Sequence, residues 1–509
     1  MQRSRRGFSP AAVAAGGLLA VAAVGPAAAE TMADAIAMAY ESNPTLQAQR
    51  STQRALDETY VQARAGWRPT LSASVGDTFL ETRTPGGRGI VDTNGDGIPD
   101  SVVSTSVQER YTGNAALSLS QPLYTGGRVA AAVSGAEADI LAGRENLRRV
   151  EAQVVSNVIQ AYVDVRRDQE SLRIREENVG VLQRQLDESK ARFDVGEITR
   201  TDVAQSQARL AASISQFQLA QAQLAISRAN YAAVVGQNPG DLAPEPSLAG
   251  LLPADIDKGF DVAEQNNPQL RAAEYAEQAS HARVAGAKAE RLPQVSLSAT
   301  YGFSGVGRPV DTDKYSQNIT ARAGVTMPLF SGGLVSSRIR QQVERNTTDR
   351  INIETARRQV LQNLTQTWNQ LQAARANITS SDEQVRAALI AAEGTRQEQQ
   401  VGLRTTLDVL NAEQELRQAQ LSQVGARHDE YISAAGVLAA MGRLEAKNLT
   451  PVGPRYDPKT HFGKLRITWG WVPWEEPIGI VDSAMVPKPV EKPLEAPLPP
   501  AIAPAPPAN

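Results

Sequence analysis

The residues whose types and spacing could do chemistry are few. Asp92, Asn94, Asp96 and Asp100 stand at positions 1, 3, 5 and 9 of Asp92-Thr93-Asn94-Gly95-Asp96-Gly97-Ile98-Pro99-Asp100, with Gly97 at position 6. Hard oxygens at these spacings around a glycine are what a Ca²⁺ loop uses. Position 12 is Val103, where such loops carry a bidentate Glu, so the expected affinity is modest. The same residues are turn formers and would also build a plain soluble loop. His281, His428 and His461 are the only histidines, and no H-E-x-x-H, G-x-S-x-G or P-loop is present. The chain is therefore read as having no catalytic site and no cofactor beyond a candidate Ca²⁺. Cysteine is absent, which excludes disulfides, thiolate metal sites, a cysteine nucleophile and a lipid-modified N-terminal cysteine.

Two further clusters point to a turn. Val195-Gly196-Glu197-Ile198-Thr199-Arg200-Thr201-Asp202-Val203 and Val401-Gly402-Leu403-Arg404-Thr405-Thr406-Leu407-Asp408-Val409 match at a separation of 206 residues. Gly196 and Gly402 allow a helix to turn back, since glycine takes positive φ cheaply. Asp202 and Asp408 are placed to cap the returning helix. The same separation relates Pro122-Leu123-Tyr124-Thr125-Gly126-Gly127 to Pro328-Leu329-Phe330-Ser331-Gly332-Gly333. Further upstream it becomes 224, relating Asn43-Pro44 to Asn267-Pro268 and Arg68-Pro69 to Leu292-Pro293. The chain is thus a duplication, with about 18 extra residues in the first copy between Pro69 and Pro122, the span that holds the Asp-rich stretch.

The elements that must position these residues alternate in period. Residues 31–66 read as a helix ended by Pro69. Leu71, Ala73 and Val75 then alternate with Ser72, Ser74 and Gly76, a strand pattern, and a loop rich in Gly, Pro and Asp runs to about Arg110. The strands are expected at about 70–82, 111–122, 294–304 and 317–328. After each Gly-Gly comes a long apolar seam with steps of 3, 4 or 7, among them Leu147, Val154, Val158, Tyr162 and Val165, and in the second copy Val360, Leu364, Trp368 and Leu371. Arg128 to Asp194 contains no proline, which predicts a helix of roughly 100 Å at 1.5 Å per residue. The second long helix is expected at 334–400, and returning helices at 200–235 and 406–441.

Four segments follow: 1–29, 30–250, 251–442 and 443–509. The first reads as a secretory signal, with Arg3, Arg5 and Arg6, an apolar run from Ala11 to Val24, and Ala27-Ala28-Ala29 before Glu30. Its loss takes the formal charge from −3 to about −6, which offers no basic surface to nucleic acid. The second and third are the two repeats. The last reads as an irregular periplasmic segment with Trp469, Trp471 and Trp474 close together and a Pro-rich finish from Pro487. Apart from this leader no run reaches the ~18 apolar residues of a membrane helix, so an exported chain of this kind is either periplasmic or crosses an outer membrane as a barrel. Four strands leave two open edges that lipid does not tolerate, so copies must pool strands.

The doubled, ordered set of Asn-Pro-x-Leu, P-L-Y/F-x-G-G and V-G-x-x-x-x-x-D-V across residues 31–442 resembles the TolC family of outer-membrane export ducts. The resemblance implies a mainly α fold with a small β part. In it, duplicated strand-strand-long-helix halves build a homotrimeric α-barrel, a coiled-coil tunnel, beneath a shared twelve-stranded transmembrane β-barrel. It implies residence in the outer membrane of a Gram-negative bacterium, in contact with its lipid. It also implies a periplasmic membrane-fusion adaptor and an inner-membrane ABC transporter or RND pump as partners. Val195, Gly196, Val401 and Gly402 would be the adaptor-docking tips, and Thr201, Asp202, Arg404, Asp408 and Asn411 the gate. Arg404 would reach Thr201 or Asp202 of a neighbouring helix pair, and Asp408 would form an acidic ring. Asn411 replaces a second Asp, and Gln399 a latch Tyr, that well-known members carry. Tyr456-Asp457-Pro458, His461-Phe462 and Trp469 resemble the members that serve type I protein secretion; small-molecule efflux is the alternative. A periplasmic coiled-coil adaptor would lack the strands, and a general porin the long seams.

Overall fold

The computed structural model describes residues 29–85, 88–92, 95–98, 100–103, 106–307, 313, 315–450, 456–465 and 467–493. The signal-like segment before Ala29 lies outside the described residues.

The region expected as one helix over 31–66 is two, α1 (Met32–Ser42) and α2 (Pro44–Arg64), divided at Asn43. Asn43 has extended backbone, and its side chain caps α2 by accepting from Thr45 N (3.0 Å) and Leu46 N (3.4 Å). Its amide also donates to Val234 O at 3.1 Å, in the last turn of α4 (Arg200–Val235). The second copy repeats this device. Asn267 separates α5 (Ile256–Asn266) from α6 (Pro268–Ala289) and donates to Ala440 O at 2.8 Å, in α8 (Thr406–Ala440). Each Asn-Pro is thus a joint that ends one helix, starts the next and ties both to the returning helix.

The proline-free stretch is α3 (Arg128–Asp194), and its counterpart is α7 (Leu334–Gln400); each is 67 residues long. At 1.5 Å per residue these are rods of about 100 Å. They pair with α4 and α8 as two antiparallel hairpins. The main core lies where α1, α3, α4, α7 and α8 meet, around the fully buried Tyr162, Tyr231, Leu364, Leu371 and Leu438. Tyr162 satisfies its hydroxyl on Glu30 O (2.9 Å) and Ala243 O (2.7 Å), as a buried phenol must.

At the other end stand β1 (Thr70–Thr84), β4 (Ser106–Tyr124), β5 (Gln294–Val306) and β6 (Tyr315–Thr326). They form one antiparallel sheet in the order β1-β4-β5-β6. The region expected as a loop up to Arg110 is largely ribbon. β2 (Arg88–Val91) pairs with β3 (Asp100–Val103) and carries the Asp-rich turn at its tip. Directly paired residues share a face. One face joins Leu71 to Leu119, Leu117 to Tyr301 and Tyr301 to Ile319; the other joins Ser72 to Ser118, Ser118 to Thr300 and Thr300 to Thr320. Above the base of the sheet, most of each face is uncovered by the described residues. Val75 on the apolar face is 87% exposed and Ile319 75%. An uncovered apolar face opposite a serine- and threonine-lined one is the pattern of a strand with lipid outside and a wet lumen inside. Among the described residues of the chain, β1 and β6 pair on one side only.

Residues 443–493, expected to be irregular, contain α9 (Ala446–Leu449), α10 (Pro458–Lys464) and α11 (Glu475–Asp482). α10 packs on α2, with Phe462 5.0 Å from Tyr60 between ring centres and His461 Nδ1 2.9 Å from Asp57 Oδ2. Residues 487–493 run extended, with Ser134 Oγ donating to Pro487 O and Arg271 to Lys492 O. Short-range periodicity gives no sign of this segment because its partners lie hundreds of residues away.

Candidate functional site at the hairpin tips

Each long helix ends in the same motif. Gly196 (φ +84°) and Gly402 (φ +81°) are left-handed. Gly196 N donates to Phe193 O and Glu197 N to Arg192 O, both at 2.9 Å; Gly402 and Leu403 repeat this on Gln399 and Glu398 at 2.9 Å. Paired bonds of this form satisfy the last carbonyls of a helix and turn the chain. Nothing lies within 4 Å of the site of a Cβ on either glycine, so the constraint is the backbone angle, not space.

The returning helices start with capping boxes. Thr199 N and Oγ1 donate to Asp202 Oδ2 (2.9 and 2.7 Å), and Asp202 N donates to Thr199 Oγ1 (3.4 Å). Thr405 and Asp408 make the same set at 3.0, 2.8 and 3.2 Å. Both aspartates therefore cap their helices. The backbone and side-chain bonds from Thr405, aided by Arg404, hold the Asp408 carboxyl below its ordinary pKa.

Both turns expose apolar side chains. Val195 is 73% exposed, Val401 70% and Leu403 76%. Thr201, Arg404 and Asn411 are also exposed. Within the protomer Arg404 does not stretch across to the other hairpin but closes back on its own turn, with Nε 2.8 Å from Glu398 Oε2. Gln399 is buried and donates weakly to Thr406 Oγ1 at 3.4 Å. The link between hairpins is one that sequence reading missed. Arg209 of α4 donates to Asn411 Oδ1 of α8 at 2.9 Å and to Gln414 Oε1. Beneath it Leu182, Leu186, Leu210 and Leu410 form a small shared core. Arg209 and Gln414 show no motif; only the pairing of α4 with α8 brings them together.

The Asp-rich turn is separate from the tips. Asp92 accepts from Gly95 N (2.7 Å) and Gly97 N (2.8 Å), and Asp96 from Ile98 N (2.8 Å). Asn94 and the side chain of Asp100 lie outside the described residues. Among the described residues no three acidic or histidine side chains converge as a metal cage. His428 pairs with Asp164 and Asp429, both at 2.9 Å, as a satisfied histidine.

The outer membrane efflux protein family model matches residues 35–237 and 260–443. The chain belongs to this family, the TolC family of outer-membrane channels. It is 32% identical to outer membrane efflux protein BepC of Brucella suis over 444 residues, 87% of this chain and 92% of that one. It is 26% identical to alkaline protease secretion protein AprF of Pseudomonas aeruginosa, over 83% of this chain and 86% of that one. Among solved structures it resembles the outer-membrane channel OprN, with a TM-score of 0.68, 20% identity and coverage of 81% and 89% of the two chains. TolC-family members are non-enzymatic, homotrimeric outer-membrane channels with large periplasmic tunnels, working with adaptor and inner-membrane transporter components. This TolC-family chain is accordingly an outer-membrane efflux or secretion channel subunit.

Proposed function

We propose that this channel is the outer-membrane duct of a type I secretion system, passing protein from an inner-membrane ABC transporter and its adaptor to the exterior. The observation that carries this reading is the ordered C-terminal segment. Tyr456, His461 and Phe462, which resemble secretion-type members, are folded onto α2: Arg50 stacks on Tyr456 at 5.1 Å and Phe462 meets Tyr60. The likeness to AprF, named for alkaline protease secretion, spans most of both chains and supports it. A second reading, small-molecule efflux, is favoured by the higher identity to BepC. Deleting the gene in its host separates them. Secretion predicts loss of one or a few extracellular proteins with unchanged tolerance of dyes and detergents; the opposite pattern establishes efflux.

Within this reading Val195, Gly196, Val401 and Gly402 dock the adaptor, since exposed apolar side chains on a rigid turn are a natural contact. Arg404 and Asp408, with Thr201, Asp202 and Asn411, line the gate. Arg404 would exchange Glu398 for Thr201 or Asp202 of the adjoining subunit in the closed trimer. Asp408 from three subunits forms an acidic ring that attracts cations. The ribbon tip, with Asp92, Asn94, Asp96 and Asp100, binds Ca²⁺ with modest affinity outside the cell. Calorimetric titration tests this last point: no heat at millimolar Ca²⁺, or heat unaltered in Asp96→Ala, counts against it.

A further inference from the structure

The C-terminal segment reaches the base of the sheet from its apolar side. Trp474 Nε1 donates to Gln121 Oε1 at 3.1 Å. Gln121 follows Leu117 and Leu119 at alternate positions of β4, so it lies on the same apolar face. The segment also grips both ends of the first hairpin. Arg68, just before β1, is held by Glu475 at 2.9 Å and donates to Thr468 Oγ1 at 3.2 Å. Asp482 accepts from Thr125 N (2.8 Å) and Gly127 N (2.9 Å), just after β4. Residues 468–482 therefore lie against the level where the chain passes from helix to sheet, on the apolar side of the sheet.

The helix at this level is inverted in polarity. α11 turns Glu475, Gly479 and Asp482 into the protein, while Ile480 (72% exposed) and Val481 (61%) point away. Trp469 is fully exposed at 100%, and Met485 is 86% exposed. Between Thr468 and Met485 the only charged residues are Glu475, Glu476 and Asp482, and two of these are buried. A helix with two of its three carboxylates inward, Glu476 alone being exposed, and with Ile480 and Val481 outward does not suit water. It suits the boundary between headgroups and acyl chains, where tryptophan is also favoured.

We propose that residues 467–485 form a collar that sits in the periplasmic headgroup layer of the outer membrane and binds phospholipid. Continuity with the apolar face of the sheet, through Trp474 and Gln121, chooses lipid over water. The collar supplies an interfacial anchor to a chain that has no cysteine to acylate. A second copy of the chain is the competing occupant, because Leu329 and Phe330 are also exposed at this level in the second repeat.

The absence of cysteine makes the test direct. Ile480→Cys and Trp469→Cys are each labelled with a nitroxide in the full-length trimer, reconstituted in phosphatidylethanolamine–phosphatidylglycerol nanodiscs. The expected result is collision with oxygen exceeding that with a water-soluble nickel chelate by several fold, reversed at a Glu176→Cys control on α3. Access dominated by nickel, or an immobile label reached by neither reagent, overturns the proposal, the latter in favour of a subunit contact. If neither variant assembles, quenching of native tryptophan by brominated phospholipid decides the matter. Lipid contact predicts strong quenching that falls markedly in Trp469→Phe; equal quenching in both overturns it.

Discussion

Gly402 shows how little a single residue need do to matter. Its backbone angle is open only to glycine at low cost, yet a methyl would meet nothing. Gly402→Ala should therefore cost about 1 kcal/mol at the tip and leave the trimer intact. The measured effect should be weaker capture of the adaptor in pull-downs, with trimer yield unchanged. Arg404 and Asp408 belong to the same scale. Their interactions within the protomer are exposed and screened by solvent, so they add little to stability. Arg404→Ser should raise conductance in planar bilayers; closed-level conductance, even with Asp202→Ala added, would show that these residues are only caps. Asp408 has a depressed pKa, so its charge and its cap persist above the ordinary Asp range and are lost only as pH falls through the lower folded value. Block by multivalent cations should thus be flat from neutral into mildly acidic pH and be lost in Asp408→Ala.

At the scale of elements, the two repeats are alike in what the sequence shows and differ in what it hides. Period, proline-free length and the doubled Asn-Pro and Gly-Gly motifs made the strands, the long helices and the turns legible, because each is dictated by residues close in sequence. The break at Asn43 was not, since a capping Asn before Pro reads equally well as a continuing helix until its contact with Val234 is seen. The role of Asp482 was invisible for a stronger reason. The N-cap residue of α3, Gly127, has no side chain, and Thr125 Oγ1 accepts only from Val129 N; Asp482, some 355 residues away, takes Gly127 N and Ala130 N while also accepting from Trp67 Nε1 and Thr125. Burial opposes the Asp482 charge, but these hydrogen bonds prevail and hold its pKa below the ordinary value. Its contribution should be complete above the unfolded Asp pKa and be lost as pH falls through the folded one. Asp482→Ala leaves several amides without a partner and should cost on the order of 3 kcal/mol, read as faster proteolysis of the C-terminal segment at neutral pH. At the tips, Arg209→Ala removes the tie to Asn411 and Gln414, and should loosen α4 from α8 and raise conductance without lowering trimer yield.

The whole molecule is defined by what one chain leaves open. β1 and β6 are free on one side, and the internal repeat says how they must meet. The offsets of 224 and 206 carry the Thr70–Ser120 pair of the first hairpin onto the Gln294–Thr326 pair of the second. Applying them to the β4–β5 junction, where Leu119 faces Ala299, places Val325 of one chain opposite Val75 of the next. Both valines lie on the apolar face, so the register keeps lipid-facing residues together. The channel is then a closed ring in which each chain supplies four strands. The most direct measurement is oxidative cross-linking of Val75→Cys with Val325→Cys in the cysteine-free chain, since opposed strand residues fall within disulfide range. Efficient formation of covalent dimers and trimers is predicted, with little from Val75→Cys with Ala321→Cys, displaced by about 13 Å along the strand. Cross-linking confined to monomers, or favouring the displaced pair, would contradict a barrel shared between copies in this register.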